Sequence, residues 1–306
     1  MPRLAAATLL LAGLLPGQQR QVSITFDDLP RGGDAGRSHT LTETLEVNRR
    51  ILDAMGSRPV TGFVNAGGGA ARDLGAEGLQ TVLRLWHERG AVLGNHTFSH
   101  PDRNRTPPDE YIADIVRGEP AIEQAAGRRP VFFRHPFLHA GATAEARRAV
   151  EDFLAGRGYT VAPVTLDNSD WMYAVLYQAA LRNDPPLAAR LLRDYLAYME
   201  AIFAFFEGRS VEVVGREFPQ VLLLHVSRLN ADALPGLLAM MKRRGYTVVS
   251  LEAALRDETY RLSDSYTGPG GFSWIHRWSK TKGLAPKGEP DPPAWVNAAY
   301  ENRRAR

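Results

Sequence analysis

Cysteine is absent from all 306 residues. That removes disulfides, thiolate metal sites and a cysteine nucleophile together, so any metal must be held by His, Asp or Glu. A surplus of charge is also missing: 37 Lys and Arg stand against 34 Asp and Glu, a formal net charge of +3. With no long Lys/Arg run to make a phosphate-binding stripe, a nucleic-acid partner is not expected. Nor is any apolar run long enough to span a bilayer, so no transmembrane anchor is expected in the mature chain. The one marked run, Leu4 to Leu15, is short; Arg3 precedes it and Pro16-Gly17-Gln18-Gln19-Arg20 follows. A basic residue, a short apolar stretch and a small-residue exit form a secretory layout. The expectation is a signal peptide over residues 1–20 and a secreted or periplasmic protein; a buried first strand or helix is the other reading. Without a cysteine after the run, a lipid-anchored leader is excluded.

What is present is ordinary for a folded protein, 44% apolar and 23% charged residues. This length suits one large α/β domain. Val22-Ser23-Ile24-Thr25-Phe26 alternates, is β-branched, and runs into Asp27-Asp28-Leu29-Pro30, a strand ending in a loop that continues through Gly32–Gly36. Alternating helices and strands follow: helix 40–55, strand 60–64, helix 79–89, strand 91–94, helix 109–126, strand 131–133, helix 144–156 and strand 159–164. A long helix over about 186–207 carries Leu191, Tyr195, Met199, Ile202 and Phe206 on one stripe. Val221-Leu222-Leu223-Leu224 reads as a buried strand, and helix 234–244, strand 246–249 and helix 251–256 close the series. Such alternation predicts a parallel sheet, open or closed into a barrel. The expected folded domain is 21–262. Residues 263–306, rich in Gly, Pro and Trp, are expected to be irregular, with Trp274, Trp278 and Trp295 packing parts of them down.

Five polar clusters each follow a predicted strand, where parallel α/β folds place their sites. Asp27-Asp28 repel one another unless a cation or proton lies between them, which suggests a metal or acid/base pair; a solvated turn explains them too. His96 and His100 lie four apart, close enough on one helical turn to share an ion, although histidine pairs also cap and pack. Imidazole suits zinc, cobalt, nickel or iron(II), and one carboxylate would complete a facial set with open positions for water and substrate. Arg134 follows Val131-Phe132-Phe133 and needs a carboxylate partner, with Asp27 a natural candidate. Asp167-Asn168-Ser169-Asp170-Trp171 is either an orienting acid beside an indole wall or an Asx-turn before a core Trp. His225 ends the apolar run of the last cluster.

Taken in order, these clusters resemble the five motifs of the NodB-like polysaccharide deacetylases, the carbohydrate esterase family 4 superfamily. The matching residues are Thr25–Asp28, His96–His100, Arg134–Phe137, Asp167–Trp171 and Leu223–His225. The resemblance implies a distorted (β/α) barrel and a metal-dependent hydrolase that removes acetyl groups from an acetylated poly- or oligosaccharide, N-acetylated sugars first. By that resemblance Asp28, His96 and His100 hold a divalent metal, zinc foremost, with cobalt, nickel or manganese as alternatives. Asp27 would be the general base and His225 the general acid, with Arg134 holding Asp27 and Asp170 orienting His225. Trp171 and Leu223 would line the acetyl pocket, and the Phe137 N–H would meet the oxyanion. His135, where the family often has Pro, and the loop 31–38 depart from the pattern and leave the substrate open. A non-sugar amide hydrolase on the same scaffold and a catalytically silent glycan-binding protein are the alternatives.

Overall fold

The computed structural model describes residues 19–34 and 39–304. The signal-peptide reading therefore lies almost wholly outside the described residues, and loop 31–38 is described only as far as Asp34. Among the described residues no helix is long and apolar enough to cross a membrane.

The first half is a run of strand–helix units: β1 (Arg20–Leu29), α1 (Leu41–Met55), β2 (Thr61–Val64), α2 (Gly69–Glu88), β3 (Val92–Asn95), α3 (Pro108–Ala126), β4 (Phe132–Phe133), α4 (Ala144–Gly156) and β5 (Thr160–Val161). Two consecutive helices follow, α5 (Asp170–Asn183) and α6 (Pro185–Val214), and then β6 (Gln220–His225), α7 (Arg228–Arg243), β7 (Tyr246–Val248) and α8 (Leu251–Ala254). The last two helices are α9 (Trp274–Thr281) and α10 (Ala294–Arg304).

The strands form a seven-stranded parallel sheet in the order β5-β4-β3-β2-β1-β6, with β7 added to β1. Every recorded pairing is parallel. Helices cover such a sheet on its faces, which is why β6 is apolar from Val221 to Leu224 and almost fully buried. The sheet curls, and its edges meet through one parallel bridge, Leu166 to Leu222. Pro163 explains why β5 is only two residues long where the sequence predicts six: without an N–H, proline cannot extend the ladder. The chain leaves β5, turns past Pro163, and meets β6 at Leu166, so the result is a distorted α/β barrel.

The helices show why sequence expectations held in some places and missed in others. Thr40 caps α1 by accepting from the Glu43 N–H, and Asp184 caps α6 ahead of Pro185. The α6 stripe is core throughout: Leu191, Tyr195, Met199, Ile202 and Phe206 are buried. By contrast α2 begins ten residues before its predicted start, because a kink at Gly75 (φ 66°) breaks the periodicity. Helix α5 went unpredicted; it is packed by α6, α7 and α10, so it lacks the polar face that marks an amphipathic helix. The expectation of an irregular C-terminal extension is corrected. Trp274, Ile275 and Trp278 bury α9 against the core, and Val296 buries α10, so both helices fold by docking.

Candidate active site

β1 is the central strand of the site. Its last residues carry Asp27, which pairs in register with His225 of β6, so adjacent strands bring these two side chains to one mouth. Asp28 adopts φ 62° and His100 φ 59°, left-handed conformations that are uncommon outside glycine and that gather at functional sites. Both turn toward His96, which follows β3.

His96 Nε2 lies 3.7 Å from Asp28 Oδ1, and His100 Nε2 lies 3.5 Å from the same oxygen. One donor atom from each residue falls within 4.8 Å of the others, a spacing that suits a single ion. The donors fit it chemically too. His96 Nδ1 is 2.9 Å from the Arg134 carbonyl, so Nδ1 carries the hydrogen and Nε2 presents a lone pair. Burial, then the neighbouring His100, lower the His96 pKa to about 3, which keeps it in the neutral form a metal requires.

Asp27 sits beside this trio but is held elsewhere. Arg134, fully buried, donates to Asp27 Oδ1 at 2.8 Å and to Thr25 Oγ1 at 2.6 Å, and stacks 4.2 Å from the Phe63 ring. Burial raises the Asp27 pKa above the ordinary carboxylate range, while Arg134 and His225 oppose that rise without cancelling it. A carboxylate with a raised pKa is a better proton acceptor.

The second pair faces it from β6 and α5. His225 Nδ1 lies 2.7 Å from Asp170 Oδ1, and Asp170 Oδ2 accepts from the His225 N–H at 2.7 Å and from Asn230 at 2.6 Å. Burial opposes charge on His225, but the Asp170 carboxylate, its hydrogen bond and the nearby Asp28 and Asp27 outweigh it, and the pKa is pushed up to about 10. The ring is thus held protonated at neutral pH, with its far nitrogen left to donate.

These groups open into one cavity of about 690 Å³. Trp171, half exposed, and Leu223 line it, as does Phe137. Phe137 and Leu138 both adopt positive φ, 56° and 55°. The Leu138 and His139 N–H groups bond to the His135 and Pro136 carbonyls, while the Phe137 N–H has no partner among the described residues. His135 points away: its ring is buried and meets Tyr111 Oη at 3.1 Å.

Of the residues that the sequence singles out, Asp27, Asp28, His96, His100, Phe137, Trp171, Leu223 and His225 line this cavity, Arg134 and Asp170 support it from behind, and several neighbours went unpredicted. Asn230, which clamps Asp170, lies three residues after the Ser227 cap of α7 and carries no signal of its own. Asp102, at the start of the loop after His100, holds His139 Nδ1 at 2.7 Å. The extension contributes Gly271, Glu289 and Tyr300 to the lining. Tyr300 packs edge-on against Trp171, with ring centres 5.1 Å apart. Burial and then the Glu289 carboxylate push Asp167 up to about 7. Only the Gly-Pro-Trp composition hinted that this segment would fold back.

Comparison with known proteins agrees with this construction. The sequence profile of the family described as Polysaccharide deacetylase matches residues 15–153. A peptidoglycan-N-acetylglucosamine deacetylase of Bacillus cereus is 30% identical over 123 residues, 40% of this chain and 38% of that protein. The chain thus spans about two fifths of that relative. A chitin deacetylase of Colletotrichum lindemuthianum is 28% identical over 238 residues, 77% of this chain and 79% of that one. Among solved structures, the chitin deacetylase of the same fungal pathogen superposes with a TM-score of 0.53 at 22% identity, covering 79% and 89% of the two chains. A CE4 family pseudoenzyme from Bacillus anthracis superposes with a TM-score of 0.50 at 18% identity, covering 78% and 66%. These likenesses establish the fold, and the pseudoenzyme shows that the fold alone does not establish chemistry. The profile match runs across Asp27, Asp28, His96, His100 and Arg134, so over residues 15–153 the chain is similar to the polysaccharide deacetylase family, and its barrel is similar to those of the solved deacetylases.

Proposed function

We propose that this chain is a metal-dependent deacetylase of N-acetylated glycans. One observation carries the reading: a carboxylate–guanidinium pair and a histidine–carboxylate pair converge on the Asp28, His96 and His100 trio in a single cavity. A divalent ion held by that trio, zinc in our reading, supplies a Lewis acid for the acetyl carbonyl and makes water more acidic. Cobalt, nickel and manganese suit the same donors.

The chain's own residues do the rest. Asp27, oriented by Arg134, accepts the proton of the attacking water. The Phe137 N–H, without another partner, donates to the oxygen on which negative charge grows. His225, kept cationic by Asp170, gives its proton to the departing sugar nitrogen, which would otherwise leave as a poor amide anion. Trp171 and Leu223 form the apolar wall against the acetyl methyl. N-Acetylated sugars are favoured because the two relatives of known name act, by those names, on peptidoglycan N-acetylglucosamine and on chitin.

Acetate release from chitin oligomers, peptidoglycan, acetylxylan and small amides tests this reading. Release from N-acetylated glycans is expected; release from small amides alone would replace the substrate class, and none from any would leave a silent glycan binder. We also propose export: mass spectrometry of protein from the native host should find a mature N-terminus near Arg20, and an intact Met1 on the native protein would oppose it.

A further inference from the structure

The cavity contains a second histidine–carboxylate pair that the proposed chemistry does not use. His139 lines the cavity, and its Nδ1 lies 2.7 Å from Asp102 Oδ1, the same separation as in the His225–Asp170 pair. The two stand on different sides of the mouth. His139 and Asp102 follow β4 and β3, His225 ends β6, and β1 and β2 lie between them in the sheet.

Three further features show that the position of His139 is built. Phe137 and Leu138, neither of them glycine, occupy the left-handed region consecutively, a conformation that persists only where surrounding structure holds it. Gly271 of the extension packs onto this turn so closely that a Cβ there would fall 1.8 Å from the Phe137 carbonyl oxygen and 3.2 Å from the His139 ring. Asn104, two residues beyond Asp102, donates to the Gly268 and Pro269 carbonyls at 3.2 Å, which ties the extension to the same loop. The turn is clamped from both sides, and the imidazole is what it presents to the cavity.

The hydrogen bond also fixes what the ring can do. With Nδ1 engaged by the Asp102 carboxylate, Nε2 is the ring nitrogen left for a ligand. Nε2 has no protein partner among the described residues. We infer that His139, oriented by Asp102, is a substrate-contacting residue whose Nε2 hydrogen-bonds to a hydroxyl or acetamido group of the glycan, on the wall away from His225. The substrate class in this inference rests on the deacetylase reading; the placement of the ring does not.

The test measures binding apart from turnover, by titration calorimetry of di-N-acetylchitobiose into the full chain carrying Asp27→Asn. Adding His139→Ala should weaken the dissociation constant about tenfold, the scale of one lost hydrogen bond in a pocket. His139→Gln, whose amide places both a donor and an acceptor near the position of Nε2, should recover most of that loss. His139→Phe, which fills the same space beside Phe137 without a polar atom, should not. In the otherwise native enzyme His139→Ala should raise KM by a similar factor and move kcat less. Recovery by Phe and not by Gln would overturn the inference in favour of packing, and equal affinity in all four proteins would overturn it outright. Failure of the disaccharide to bind even the Asp27→Asn parent would instead overturn the glycan reading.

Discussion

The strand mouths and the C-terminal extension face the same cavity, yet they are built differently. At the mouths, Asp27, Asp28, His96, Arg134 and His225 stand at or just past the ends of adjacent parallel strands, and each buried charge meets an opposite one within hydrogen-bonding reach. The extension has no strand to hold it. Trp278 and Val296 anchor its helices, and it delivers Gly271, Glu289 and Tyr300 to the cavity from outside the sheet. In the proposed reading the difference separates chemistry from selection: the strand ends would carry the reaction, and the extension would shape what approaches it.

Substitutions on the two sides should therefore differ in size and in kind. The largest effect belongs to the trio. His96→Ala with His100→Ala should abolish stoichiometric divalent metal, read by elemental analysis, and reduce turnover to background. Next come the proton-transfer groups. Asp27→Asn should retain metal and lose roughly a hundredfold to ten-thousandfold in kcat. His225→Ala should lose as much on an amide but less on an acetyl ester with a good leaving group, which departs without protonation. Equal losses on both substrates would move His225 to oxyanion or structural work.

A third prediction concerns pH. The proposed general acid His225 would act in its protonated form, and Asp170 raises its pKa, so activity should fall as pH rises through that value. Asp170→Asn removes the stabilising charge and should move the alkaline limb of the kcat profile to lower pH. An unmoved limb would show that another group sets it. The smallest effect belongs to the extension. Tyr300→Ala, which strips one ring from Trp171, should raise KM on oligosaccharides about threefold, near the lower end of what an aromatic contact contributes, and leave metal content intact. A loss of kcat as large as that of Asp27→Asn would erase the distinction between the two regions.

The same division governed what the sequence disclosed. The strand-end motifs were legible because parallel strands have one functional end, so residues after each strand converge whatever their separation in the chain. Trp171 was legible as a wall for the same reason, although α5 behind it was not, since a helix packed on several sides shows no polar face. The kink at Gly75 hid half of α2, and Pro163 shortened β5. The extension was illegible for a deeper reason: α9 and α10 are short and gain their order by docking, and Tyr300 meets Trp171 from 129 positions further along the chain. Asp102 and His139 carried no pairing signal in the sequence; the turn through Phe137 and Leu138 brings them together.

The most direct test of the central claim is acetate release from an N-acetylated chito-oligosaccharide by protein that has been chelated and then reconstituted with zinc. The account predicts release by the enzyme as purified, its loss on chelation and its return with zinc, with no return in the His96→Ala, His100→Ala protein. Release that persists in the thoroughly chelated enzyme, and equally in that double variant, would contradict it.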